Sequence, residues 1–277
     1  MRQPIPLSQD PRFKDRLPRI AVGIVSYGDI PHQAFRSFMG WWGQSCARYK
    51  GRFHLSFGLS DRKEQYRARN SLVLLAEAEQ ADVLLMVDDD QLLHVEPDLI
   101  GKFADFGANI MGALYFQRGG LYHPVVMHED QGAMGKTYYR FYRPEEIPLP
   151  EAGPTKVPMV GHGCMWVDMD VYSRMKQPHH WPYPSEVVFV PDEVLGLDVH
   201  FCKRARDMGE DVYLMPNIRI GHLGIDQEEV YHNTRPPQEL LDRTEEATHY
   251  WTRVGGRIVR KEHKNGDNPA AERSQHP

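Results

Sequence analysis

The sequence predicts an α/β fold with a mostly parallel sheet and helices on its faces, and three observations carry that expectation. Short apolar, β-branched runs recur at 20–26, 53–59, 83–87 and 109–116. Segments with helical spacing of apolar residues separate them, which is the strand–helix alternation of parallel-sheet proteins. The run 83–87 (VLLMV) is apolar at every position, as befits a strand covered on both faces; a half-exposed strand would alternate.

Residues 1–19 carry Pro4, Pro6, Pro11 and Pro18 among charges and read as an extended arm. The strand IAVGIVS (20–26) stops at Tyr27-Gly28-Asp29, and Pro31 opens HQAFRSFMGWW, where its fixed φ suits a first helical turn. After FHLSFGL (53–59), Asp61 and Glu64 have the spacing of a capping box, and a helix runs to residue 80. A helix over 97–106 and the strand NIMGALYF (109–116) follow. Glycines and prolines between 117 and 154 then mark a long excursion from the core. Residues 157–175 read as a strand turning into a helix near Asp168, and 192–209 as a helix ended by Gly209. DVYLM and NIRIGH close the main domain, which spans 20–225. A helix over 238–252 is expected within a C-terminal helical extension, 226–254, and the tail 255–277 is expected to fray.

Charge and composition exclude several classes. The chain has 33 basic and 38 acidic residues, a net charge of -5, which gives no general attraction to nucleic acid. Cys46, Cys164 and Cys202 are odd in number and far apart, against a disulfide framework and for a reducing compartment. No HExxH or HxxxH spacing occurs, against a zinc hydrolase. No apolar run suits a membrane span, and the first residues lack the apolar core of a secretory signal, so a cytoplasmic location is expected.

The triplet Asp88-Asp89-Asp90 carries the most chemistry. Ligands of open α/β sheets bind beyond the carboxyl ends of strands, and here a strand delivers carboxylates to that edge. Residues i and i+2 of an extended segment point the same way, so Asp88 and Asp90 can converge on Mg²⁺ or Mn²⁺. The plain alternative is a solvated acidic loop. His222, between glycines in IGHLG, would favour Mn²⁺ as a further ligand, although a loop histidine is more often a surface residue. Arg69 belongs to a basic segment able to offset a diphosphate. Asp198 heads an amphipathic helix, where a carboxylate either complements the helix dipole or serves as a general base.

The ordered set VSYG, ARN, VLLMVDDD, GALYFQR, VGHGCMWV, GLDVHFCKRARDMG and IGHLG resembles nucleotide-sugar glycosyltransferases of the GT-A fold, nearest to family-2-type and small bacterial or phage-encoded members. That resemblance implies that Val25, Ser26 and Tyr27 contact the nucleoside base, with Arg69, Asp88 and Asp89 at the nucleotide. It implies that Asp88, Asp90 and His222 hold the divalent ion, and that the backbone around His162, Gly163 and Cys164 lines the sugar and acceptor pocket. Asn70 would hold a loop, and Asp198 would deprotonate the acceptor in an inverting reaction. Leu197 stands where the family often has Glu, which leaves Asp192 and Glu193 as alternative bases and a retaining reaction open. Implied cofactors and partners are Mn²⁺ or Mg²⁺, a nucleotide-sugar donor, and a hydroxyl acceptor: a glycan, a small molecule or a hydroxymethylated pyrimidine in phage DNA. The competing readings are a nucleotidyltransferase and a non-catalytic nucleotide- or glycan-binding module.

Overall fold

The apolar runs pair into one seven-stranded sheet, of order β2-β1-β3-β10-β5-β11-β8. Its strands are β1 (Arg19–Val25), β2 (His54–Leu59), β3 (Val83–Asp88), β5 (Ile110–Leu114), β8 (Thr155–Lys156), β10 (Cys164–Asp168) and β11 (Val212–Arg219). The computed structural model describes residues 3–26, 28–60, 64–117, 123–131, 137–176, 187–190, 195–224, 230–231, 248–254 and 257–263. Strands β2, β1, β3, β5 and β11 share one direction, as expected, while β10 and β8 run against them.

Helices cover both faces. Val83, Leu85 and Val87 pack with α1 (His32–Arg48) and α3 (Leu99–Phe106) on one side. Leu84 and Met86 pack on the other with α2 (Gln65–Ala78), α4 (Met169–Met175) and α5 (Leu197–Asp207). All five side chains are at most 2% exposed, which explains the unbroken apolar run. At ~1.5–3 kcal/mol per buried side chain, their burial contributes on the order of 10 kcal/mol before chain entropy is charged against it.

The excursion forms its own small antiparallel sheet, β7-β6-β9, from β6 (Val126–Gln131), β7 (Thr137–Phe141) and β9 (Met159–Val160). A second one, β13-β12-β4, joins β4 (Gln91–Leu92), β12 (Gly221–Leu223) and β13 (Val230–Tyr231).

Several expectations are corrected. The arm is not extended: residues 7–9 and 11–13 form short helical turns, and Leu7 and Phe13 anchor them in the core. Arg12 pairs with Asp10 and, at 2.6 Å, Asp168, while Arg16 pairs with Asp82, so these arm cations are engaged inside the chain. Helix α2 starts at Gln65 with Glu64 as its cap residue, and no side chain caps it; Asp61 lies outside the described residues. Pro31 caps α1 instead of entering its first turn. The helix expected over 238–252 gives way at its described end to β14 (Thr248–Val254), paired antiparallel with β15 (Arg257–His263) where a frayed tail was expected. Thr248, Tyr250, Trp251, Thr252 and Val254 are β-branched or aromatic residues that favour a strand. Among the described residues no helix is long and apolar enough to cross a membrane.

Candidate functional site

The reversed direction of β10 assembles the site. Antiparallel pairing of Cys164 with Val87 brings the residues just before β10 to the edge where β3 ends. There the Asp88 N–H donates to the Gly163 carbonyl at 3.0 Å, and the Asp89 N–H to the Val25 carbonyl at 3.2 Å. On the same edge, His222 of β12 lies opposite Gln91 of β4, and the Leu223 N–H donates to the Asp90 carbonyl at 3.0 Å. The aspartate triplet, the GHG segment and His222 therefore converge through backbone pairing.

Asp90 and His222 form one half of the site. His222 Nε2 stands 3.3 Å from Asp90 Oδ2, both residues being buried. His222 Nδ1 lies 2.7 Å from the Phe116 carbonyl, which can only accept, so Nδ1 carries the proton. With Nδ1 engaged by the carbonyl, Nε2 and Asp90 Oδ2 are the two atoms that a divalent ion held here would meet, and the Nδ1 contact matches the usual support of a metal-bound histidine. Asp88, expected as a further ligand, has its Oδ1 2.9 Å from Arg69 Nη2. Among the described residues, no three histidine, cysteine or acidic side chains form a ready metal cluster.

Arg69 is 0% exposed, so its guanidinium is enclosed beneath the edge, where it also donates to the His162 carbonyl at 3.3 Å. Burial pushes Asp88 up to about 6, against the pull of Arg69 and with the aid of Asp90, Asp198 and Asp89. Asp198 shows the opposite balance. Burial alone would raise it, yet His162 and Arg69 hold it down to about 2. His162 Nδ1 lies 2.7 Å from Asp198 Oδ1, and the His162 N–H donates to Oδ2 at 3.2 Å.

The remaining predicted residues sort by exposure. Val25 is enclosed in the core and offers only its backbone. The Ser26 hydroxyl donates to the Gly28 carbonyl, and its N–H to Ser60 Oγ, so Ser26 braces the strand end. Tyr27, Asp192 and Glu193 lie outside the described residues. The Cys164 thiol is in the core, where burial pushes it well up. Asn70 holds a loop, as expected: its Oδ1 accepts from the Val188 and Phe189 N–H groups at 2.9 Å, and Nδ2 donates to the Phe189 carbonyl at 2.7 Å.

Sequence reasoning passed over Gln91, and it offered Tyr115 only as one of several aromatics able to stack on a sugar or base, without tying it to the GHG segment. The Tyr115 hydroxyl accepts the Gly163 N–H at 2.8 Å, and the buried Gln91 amide lies against Gly163. The signal was the glycine pair around His162. A Cβ at Gly161 would sit 2.2 Å from the Tyr115 hydroxyl, and one at Gly163 2.5 Å from Tyr115 Cζ.

Neither a protein-family model nor a curated protein matches this chain. Solved structures similar to it include protein A197 from STIV, with TM-score 0.45 and 15% identity over 78% of this chain and 95% of that one. Apo UDP-glucose pyrophosphorylase matches with TM-score 0.39 and 7% identity, over 83% of this chain and 97% of the other. A mutant Drosophila β-1,4-galactosyltransferase 7 in complex with manganese, UDP-Gal and xylobiose matches with TM-score 0.38 and 14% identity, over 89% and 93% of the two chains.

Proposed function

We propose that this chain is a metal-dependent glycosyltransferase of GT-A type that moves a sugar from a nucleoside-diphosphate donor to a hydroxyl acceptor. The observation that carries the reading is the Asp90–His222 pair, whose Nε2 and Oδ2 face each other at 3.3 Å on the carboxyl edge of the sheet. Asp90 and His222 would hold the divalent ion, Mn²⁺ in preference to Mg²⁺ because one ligand is an imidazole. When bound, that ion supplies charge stabilisation for the departing diphosphate.

The chain's own residues do the rest. Asp88, fixed by Arg69, and Asp89, fixed by the Val25 carbonyl, bound the nucleotide side of the edge. Asp198 accepts the acceptor's hydroxyl proton as the oxygen bonds to the anomeric carbon and the sugar–phosphate bond breaks. A carboxylate held down to about 2 is a weak base toward a free alcohol, so proton transfer accompanies bond formation instead of preceding it. This is a single displacement, with inversion. The acceptor is a glycan, a small molecule or a hydroxymethylated pyrimidine in DNA.

A thermal-shift panel of nucleoside diphosphates and triphosphates, with Mn²⁺ or with EDTA, tests the reading. A diphosphate at 100 times its Kd should add ~2.7 kcal/mol, in Mn²⁺ only, and the gain should vanish in Asp90→Ala and His222→Ala. Stabilisation by triphosphates alone would make the chain a nucleotidyltransferase, and no response to any nucleotide would leave a binding module for another ligand.

A further inference from the structure

His162 is fully enclosed. Its side chain is 0% exposed, and its ring meets Phe189 and Phe201 edge-on, with centroids 5.2 and 4.8 Å away. Those two phenyl rings stack on each other at 5.1 Å. Phe201 is fixed by α5, which also carries Asp198, and the backbone of Phe189 is latched by Asn70 of α2. The imidazole is therefore clamped before any substrate arrives.

From that clamp, one residue engages both oxygens of one carboxylate. Nδ1 reaches Asp198 Oδ1 at 2.7 Å and the backbone N–H reaches Oδ2 at 3.2 Å. Two donors from a rigid residue fix the plane of the carboxylate as well as its place, and each oxygen keeps a lone pair for another proton. Nε2 is buried and has no hydrogen-bond partner among the described residues, so the ring's hydrogen bond is the one that Nδ1 makes to Asp198. Besides Asp198, the charged group at this histidine is Arg69, whose Nη1 donates to the His162 carbonyl at 3.3 Å.

We infer that His162 is a positioning residue for Asp198: it fixes the plane of the carboxylate and aims it at the acceptor hydroxyl, a role that rests on the proposed function of Asp198 as base. Burial pushes the imidazole below its ordinary range, against the pull of Asp198 and with the aid of Arg69, and the Nδ1–Asp198 contact holds in geometry whichever way that balance falls. A lysine there would bring a second buried charge, and a phenyl ring would fill the aromatic box with no donor.

The test uses the full chain and two readouts. Carboxyl ¹³C titration, free of ligand, should leave Asp198 ionised down to about pH 3 in the wild type, whereas in His162→Leu its midpoint should rise above about 4, the ordinary carboxylate value. His162→Asn, whose amide nitrogen takes the place of Nδ1, should titrate like the wild type, and His162→Gln, whose amide falls at Nε2, like the leucine variant. Should the leucine variant fail to fold, the asparagine–glutamine contrast decides alone. Hydrolysis of the nucleotide sugar identified by thermal shift should show kcat lowered by about 100-fold in His162→Gln, at unchanged donor KM, with rescue in His162→Asn. An Asp198 titration that ignores the residue at 162 overturns the inference. Full activity in Asp198→Asn would instead overturn the base assignment, a failure that the ligand-free titration keeps separate.

Discussion

Asn70→Ala is the substitution whose cost can be worked most directly from the structure. Asn70 makes three hydrogen bonds to the 188–189 backbone: two accepted by Oδ1 at 2.9 Å and one donated by Nδ2 at 2.7 Å. Val188 and Phe189 are 1% exposed, so water does not replace the lost partners unless the loop opens. Each bond is worth about 1 kcal/mol net, and stranded buried groups add to that, so a loss of about 3–4 kcal/mol is expected. Unfolding entropy of ~2.1 cal/mol/K per residue over a chain this long converts that loss into a fall in Tm of about 5–7 °C. Urea denaturation of wild type, Asn70→Ala and Asn70→Asp measures it. The aspartate keeps the acceptor for both N–H groups but turns an oxygen toward the Phe189 carbonyl, so it should fall between the other two. An alanine variant within about 0.5 kcal/mol of the wild type would show that the latch carries no stability and would refute this reasoning.

Two further outcomes follow from geometry and charge. Asp88 is raised in the folded chain to about 6, so its contribution is fully present below the unfolded carboxylate range and is lost as pH rises through about 6. The stability difference between wild type and Asp88→Asn should therefore move against the wild type by ~2–3 kcal/mol between pH 4 and pH 7; urea titrations that give a flat difference would remove the shift. Gly161→Ala should destabilise by about 1–3 kcal/mol because its Cβ falls 2.2 Å from the Tyr115 hydroxyl. Combining it with Tyr115→Phe should cost less than the sum of the two changes, a coupling that a double-mutant cycle reads directly.

Much of the sheet was legible because burial on both faces leaves an unmistakable run at 83–87 and shorter ones around it. Strand direction was not, since an apolar run reads the same in either sense. The reversal of β10, and with it the meeting of His162 and Asp198, is a tertiary fact. The aspartate triplet was read to the correct edge, but which carboxylate faces Arg69 and which faces His222 depends on the short β4–β12 pairing, too brief to leave a pattern. Asn70 was assigned to loop support and does that. The arm misled because prolines predict extension, while two apolar side chains, Leu7 and Phe13, decide that it docks.

The placement of β10 beside β5 also bears on how such a chain diversifies. The segment 115–163 leaves from the end of one strand and re-enters at the start of its immediate neighbour, so its two ends lie side by side in the sheet. A loop closed in this way pays little for growth: doubling its length costs about 0.6 kcal/mol of closure entropy. Phe116, Val126, Val157, Met159 and Val160 tie this segment into the core, and its strand β8 pairs with β11, so length can change only in the connections between those anchors. Those connections are where evolution, or a designer, can change what is presented beside the carboxyl edge with the neighbouring strands left in register.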